Sequence, residues 1–134
     1  MTSLVLPESA EFLDFWSERR LCTVTTLRPD GTPHVVPMGV VLEPGADAAW
    51  AITSGRSRKA RNIRAAGPEG ALIAVCQVDG RHWSTVEGRA IVLDDPDTVR
   101  AAEQRYAGRY KVPRVNPDRV ALRISVTRVL GNVR

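Results

Sequence analysis

Apolar positions change period several times along the chain, and each change marks an element. Phe12, Phe15 and Trp16 recur at i, i+3 and i+4, with Arg19 at i+7 able to border the stripe, which predicts a helix from about Glu8 to Arg19. Leu21 to Leu27 is rich in β-branched residues and reads as a strand. The turn sequence Arg28-Pro29-Asp30-Gly31-Thr32-Pro33 follows, with the Asp-Gly pair of tight hairpins, and His34 to Leu42 is the returning strand. Pro37 has no N–H for a ladder, so that strand belongs at an edge or a bulge. After a turn at Glu43-Pro44-Gly45-Ala46-Asp47, Ala49 to Thr53 forms a third strand. Ser57 to Ala65 reads as a short helix ended by Gly67-Pro68. Ala71 to Val78 and His82 to Leu93 form a second hairpin around Asp79-Gly80. Asp95 can N-cap a helix whose first position is Pro96 and whose buried face is Val99, Ala102, Tyr106 and Tyr110. The last strand alternates, with Val120, Leu122, Ile124 and Val126 on one face and Ala121, Arg123, Ser125 and Thr127 on the other.

The resulting order, αβββαββαβ, is dominated by hairpins and disfavours a doubly wound parallel sheet. It predicts a mainly β protein, a six-stranded antiparallel barrel with helices at its ends. The 134 residues suit one domain, residues 1–134, and no repeat or linker divides them. No apolar run approaches the roughly 20 residues of a membrane span. Met1-Thr2-Ser3-Leu4-Val5-Leu6-Pro7 lacks the basic and apolar regions of a signal peptide. A cytoplasmic protein without a membrane partner is expected. Cys22 and Cys76 sit in apolar runs, outside any Cys-x-x-Cys pair, and with His34 and His82 give no metal-ligand spacing. They read as small buried hydrophobes; a Cys–His nucleophile would need a positioned third group.

Charge refines this picture. The net charge of +4 invites a nucleic-acid reading, but only Lys59 and Lys111 of the 19 basic residues are lysines, so distribution says more than total. Arg56, Arg58, Lys59, Arg61 and Arg64 share one nine-residue window that contains no acid. Aromatic residues make up only 5% of the chain and none interleaves with this window, against a base-stacking surface. No Walker loop, Gly-x-Gly-x-x-Gly, Gly-x-Ser-x-Gly or His-Glu-x-x-His occurs, and the scattered acids support no catalytic carboxylate pair. In Thr53-Ser54-Gly55-Arg56-Ser57-Arg58-Lys59, a strand delivers hydroxyls into a turn that opens a helix among cations. That combination suits a phosphate. A solvated basic helix capped by Ser57 is the alternative.

Thr53-Ser54-x-x-Ser57-Arg58-Lys59-Ala60 resembles the phosphate-binding motif of the pyridoxamine 5′-phosphate oxidase-like split β-barrel flavoproteins. Leu27-Arg28-Pro29-Asp30-Gly31-Thr32-Pro33-His34-Val35-Val36-Pro37 is similar to that family's first hairpin. Gln77 to Trp83, Val86-Glu87-Gly88-Arg89-Ala90 and Arg105-Tyr106-x-x-Arg109-Tyr110-x-x-Pro113-Arg114-x-Asn116-Pro117 narrow the resemblance to the subgroup that uses the deazaflavin coenzyme F420. The resemblance runs from about Leu13 to Gly131. It implies an FMN-binding split-barrel fold, a homodimer, and hydride transfer from reduced F420 to a conjugated small-molecule acceptor, with biliverdin going to bilirubin as the implied reaction. The family's oxidases carry a further C-terminal Trp-Arg-Leu segment that this sequence lacks, which argues against vitamin B6 oxidation and makes FMN the alternative cofactor.

By the same resemblance, Thr53, Ser54, Ser57, Arg58 and Lys59 would hold the coenzyme's phosphate, with Asn62 behind them. Val36 and Pro37 would meet its ring through backbone contacts. Trp83 matches a position at the ring's far edge supplied across a dimer interface, core packing being its other reading. His34 matches a polar position beside the phosphate, or is a surface residue. No catalytic side chain and no metal is implied, because the coenzyme carries the chemistry. The competing classes are a split barrel that binds FMN or haem without turnover, and a nucleic-acid-binding barrel.

Overall fold

The computed structural model describes residues 4–134, so the reading of Met1 to Pro7 falls partly outside it. Helix α1, Ala10–Ser17, starts where Ser9 Oγ accepts the Phe12 N–H at 3.1 Å. Phe12, Phe15 and Trp16 are its buried stripe. It ends two residues before the expected Arg19, and Arg20 rather than Arg19 covers the apolar face, its guanidinium 5.4 Å from the Phe15 ring centre.

Strands β1 (Cys22–Leu27), β2 (Pro33–Met38), β3 (Val41–Glu43), β4 (Ala48–Ser54), β5 (Ala71–Asp79), β6 (His82–Leu93) and β7 (Arg119–Gly131) form one sheet. Helix α2, Arg58–Ala65, follows β4, and α3, Pro96–Arg109, joins β6 towards β7. The strand order is β2-β1-β5-β6-β7-β4-β3, antiparallel throughout. This is the expected split-barrel class. Pro37 lies on an edge strand, as its missing N–H requires. The β5–β6 hairpin turns at Gly80, whose φ of +60° a side chain would resist. Asp95 caps α3 through the Thr98 N–H at 3.0 Å, with Pro96 first in the helix.

Seven strands are present rather than six. The segment expected as one strand from His34 to Leu42 breaks after Met38, and β3 crosses to pair with β4 at the opposite edge. The break has a steric origin. A Cβ on Gly39 would lie 2.8 Å from Tyr110 Cε2 and 2.9 Å from Tyr106 Cε2, so the stacked tyrosines at the C-terminal end of α3, Tyr110 being its cap, press directly on the backbone there. The next residue, Val40, is held on both sides: its N–H donates to Tyr110 Oη at 3.2 Å, and its carbonyl accepts from Arg109.

Arg109 is a buried hub that the apolar pattern did not reveal. Only 7% exposed, it donates to the carbonyls of Glu18 and Val40 and to Gln77 Oε1. Its plane also lies over Trp16 and Tyr110 at 5.6 and 5.1 Å. Gln77 passes the connection on, donating to Phe15 O at 2.6 Å and accepting from the Cys22 thiol at 3.7 Å. Burial pushes the Cys22 thiol up, which fits an inert packing residue. Around this network Phe12, Val24, Val75, Val86, Leu122 and Ile124 form the core. On the outer face of the sheet, Leu27, Val35, Leu72, Val78 and Trp83 remain exposed.

Candidate functional site

The strand order creates a seam. β2 is an edge strand, and β3 covers β4 only from Ala48 to Trp50, so Ala51–Ser54 pair with β7 alone. Between these two unpaired edges lies a cleft of about 620 Å³ bounded by Met38 and Gly39 on one side and Ile52, Thr53 and Ser54 on the other. Tyr106 and the segment after α3 close its outer wall. Val36 and Pro37, expected to meet the ring, lie on this edge strand but outside the lining of the cleft, which Met38 and Gly39 reach.

At the end of β4 the chain turns through Gly55, whose N–H is held by Asp118 O at 2.8 Å, and α2 begins. Ser57 caps α2, accepting the Ala60 N–H at 3.2 Å and the Thr53 hydroxyl at 3.1 Å. Both acceptor positions of Ser57 are thereby used, and its own O–H remains free to donate outward. Ser54 accepts from the Arg56 N–H at 3.4 Å and likewise keeps its proton. The first N–H groups of α2, on Arg58 and Lys59, have no acceptor within the helix. Free hydroxyls, free amides and two cations therefore meet at one helix start.

The basic window divides by role. Arg64 is spent on the Gly55 carbonyl at 3.0 Å, and Arg56 lies 3.9 Å from Asp118. Arg58 is exposed, Lys59 is half-buried, and neither forms an ion pair among the described residues. Burial alone lowers the Lys59 pKa, as for an ammonium withdrawn from water without an anion. His34 on β2 faces the same charges. Its pKa is lowered first by burial and then by Arg28, Lys59 and Arg58, and its Nδ1 is buried without a partner. Arg28 acts on His34 from within the hairpin, where its guanidinium is spent on Pro33 O at 2.6 Å and Thr32 Oγ1 at 3.4 Å.

Asn62 is 2% exposed and donates to Thr26 Oγ1 at 3.0 Å, tying α2 to β1, while its Oδ1 has no partner. It fixes to the sheet the helix that carries Arg58 and Lys59. Trp83 is separate. At 39% exposed it is not core packing, and β1 and β5 lie between its strand and β2, so within one chain it does not join the others. A group of cations and hydroxyl donors with a depressed lysine, an orphaned histidine nitrogen and no paired acid fits a phosphate. Among the described residues no cluster could hold a metal, and no helix is long and apolar enough to cross a membrane.

An antiparallel split barrel with cations and hydroxyls gathered at the start of its second helix defines a class, and the sequence agrees. The pattern of the pyridoxamine 5′-phosphate oxidase family matches residues 9–132, and the chain belongs to that family. It is 48% identical over 124 residues, 92% of this chain and 88% of the other, to an F420H2-dependent biliverdin reductase of Mycobacterium tuberculosis. A conserved hypothetical protein of the same organism superposes with a TM-score of 0.77 at 26% identity, covering 97% of this chain and 86% of that one. An F420 reductase gives 0.70 at 25% identity, over 92% of this chain and 98% of its own. HupZ of group A Streptococcus, at 20% identity and a TM-score of 0.72 over 93% and 94% of the chains, shares the fold.

Proposed function

We propose that this chain is an F420H2-dependent oxidoreductase that reduces a conjugated acceptor, biliverdin to bilirubin being the reaction suggested by its 48% identical relative. One observation carries the coenzyme reading: Lys59 and Arg58, which form no ion pair among the described residues, act on His34 with its buried, unpartnered Nδ1, beside the hydroxyls of Ser54 and Ser57. An unbalanced group of this kind is an electrostatic cost until an anion joins it. The phosphodiester of F420 supplies that anion, and its reduced deazaflavin ring supplies the hydride. The chain's own residues bind and orient. Arg58 offers a planar fork, Lys59 a point charge, and Ser54 and Ser57 neutral donors. The unpaired edges of β2 and β4 would hold the ring, and Met38 and Tyr106 would exclude water from the cleft.

The active unit is a homodimer in this reading. The outer face carrying Leu27, Val35, Leu72, Val78 and Trp83 is more apolar than a solvated sheet face usually is, and a concavity of about 410 Å³ is set into it. Pairing of two copies would cover that face and bring the partner's Trp83 towards the cleft. Free Cys22 and Cys76 suit the reducing cytoplasm. Assay of biliverdin with F420H2, against NADPH alone, tests the activity; turnover should require F420H2, and comparable rates with NADPH would refute the donor. Light scattering tests the assembly, and a stable monomer that still binds F420 would refute the shared site.

A further inference from the structure

The cleft has a second group of cations that the phosphate site does not use. Lys111 and Arg114 line it directly, on the segment that joins α3 to β7, whereas Arg58, Lys59 and His34 are outside its lining. Neither Lys111 nor Arg114 forms an ion pair among the described residues. The segment has no regular structure, yet it is braced. Arg119, with its side chain 9% exposed, donates to Glu103 Oε2 and to the Arg114 carbonyl, both at 2.8 Å. Asn116 accepts the Asp118 N–H on its side chain at 3.0 Å and the Arg119 N–H on its carbonyl at 3.1 Å. Pro113 and Pro117 fix the backbone between these anchors. One arginine is thus consumed in holding the loop, and a second, three residues from Lys111, is left free. Between the two free cations stands Val112, 82% exposed at the rim of the cleft.

A braced loop with two unpaired cations around an exposed aliphatic residue fits a ligand with an apolar body and carboxylate arms. We infer that Lys111 and Arg114 read the carboxylates of the acceptor at the mouth of the cleft. The inference rests on the F420-dependent reading and names the acceptor class of that site: conjugated, apolar and carrying at least one peripheral carboxylate. The glutamyl carboxylates of the coenzyme are the other possible anions. For those carboxylates the exposed Arg56, Arg58 and Arg61, next in the chain to the hydroxyls of Ser54 and Ser57, are the nearer candidates.

The test uses the intact wild type and Lys111→Ala/Arg114→Ala, with Lys111→Arg as the charge-keeping variant. Biliverdin and its dimethyl ester are titrated by absorbance in the presence of oxidised F420, F420 itself is titrated by fluorescence, and KM is measured for both substrates. The double variant should bind biliverdin about five to thirty times more weakly, with a matching rise in KM, while F420 affinity and the thermal midpoint stay unchanged. Lys111→Arg should keep most of the affinity. The ester should bind the wild type about as weakly as biliverdin binds the double variant, and should lose nothing further there. Biliverdin affinity indifferent to both charge removal and esterification would overturn the inference. So would a loss that falls on F420, which would assign the two cations to the coenzyme's tail. A wild type that binds no F420 would instead overturn the coenzyme reading beneath it.

Discussion

Arg109 and Lys59 are both cations drawn at least partly out of water without a carboxylate, yet their surroundings are opposite. Arg109 is fully subscribed, with three acceptors supplied by Glu18, Val40 and Gln77 and two aromatic faces around its plane. Lys59 has no hydrogen-bond partner or ion pair, and beside it His34 Nδ1 is buried and unpaired. A protein that satisfies one buried charge so completely can satisfy the other. The difference teaches that the α1–α3 end is built to hold the fold, whereas the α2 end keeps a cation without a partner, which is what the proposed anion site requires. Tyr110 marks the boundary: burial pushes its phenol up to about 12, so it stays a donor to Arg20 O and holds Val40 beside the cleft.

The contrast breaks most visibly at Arg109. Arg109→Ala removes the charged donor from the Glu18 and Val40 carbonyls and from Gln77 Oε1, leaving the last two only the weak contacts of Tyr110 and Cys22. Each loss costs about 1–3 kcal/mol, so the denaturant midpoint should fall steeply or folding should fail. Arg109→Lys should recover only part, because an ammonium cannot fork to three acceptors. A midpoint unchanged in Arg109→Ala would remove the hub from the account of the fold. Lys59→Ala should do the reverse: F420 binding weakens about tenfold to a hundredfold in fluorescence titration, while the midpoint holds or rises slightly. Arg134→Ala, at the exposed chain end, serves as the control and should change neither quantity.

Ser57 straddles the two behaviours. Ser57→Ala removes both the cap of α2 and a ligand donor, so it should cost about 1 kcal/mol of stability and several-fold in F420 affinity. Chemical denaturation and the same titration read the two losses separately. The pH dependence should be smallest. Anion binding favours the protonated forms of Lys59 and His34, whose pKa values lie below 10.5 and 6.5 in the free protein. F420 affinity should therefore fall as pH rises through each depressed pKa, first His34 and then Lys59. Lys59→Arg, which stays charged, should flatten the alkaline part, and an unchanged slope would mean that Lys59 does not face the anion.

Elements were legible where the periodicity was strong. The spacing of Phe12, Phe15 and Trp16, the tight turn after Asp79 and the Asp95-Pro96 start appear as read. The first Asp-Gly pair instead sits in a longer loop, Arg28 to Thr32, closed by the Arg28 N–H on Thr32 O. The break after Met38 was hidden because its cause lies some seventy residues away, in tyrosines that Gly39 must admit. Arg109 was hidden for a related reason: a pattern of apolar faces counts arginine as solvent-facing, and only the folded carbonyls show otherwise. In the site, the hydroxyls and cations from Thr53 to Lys59 were visible because they are contiguous. Lys111 and Arg114 come from another segment, and only the topology brings them to the cleft that Ser54 also lines.

The most direct measurement is a titration of the wild type with F420 and with FMN, each at low and at raised salt. F420 should bind the more tightly, and its affinity should weaken as salt screens the partly exposed charges at the α2 start. Tight FMN binding without affinity for F420, or F420 binding indifferent to salt, would contradict a phosphate site built from Arg58, Lys59, Ser54 and Ser57.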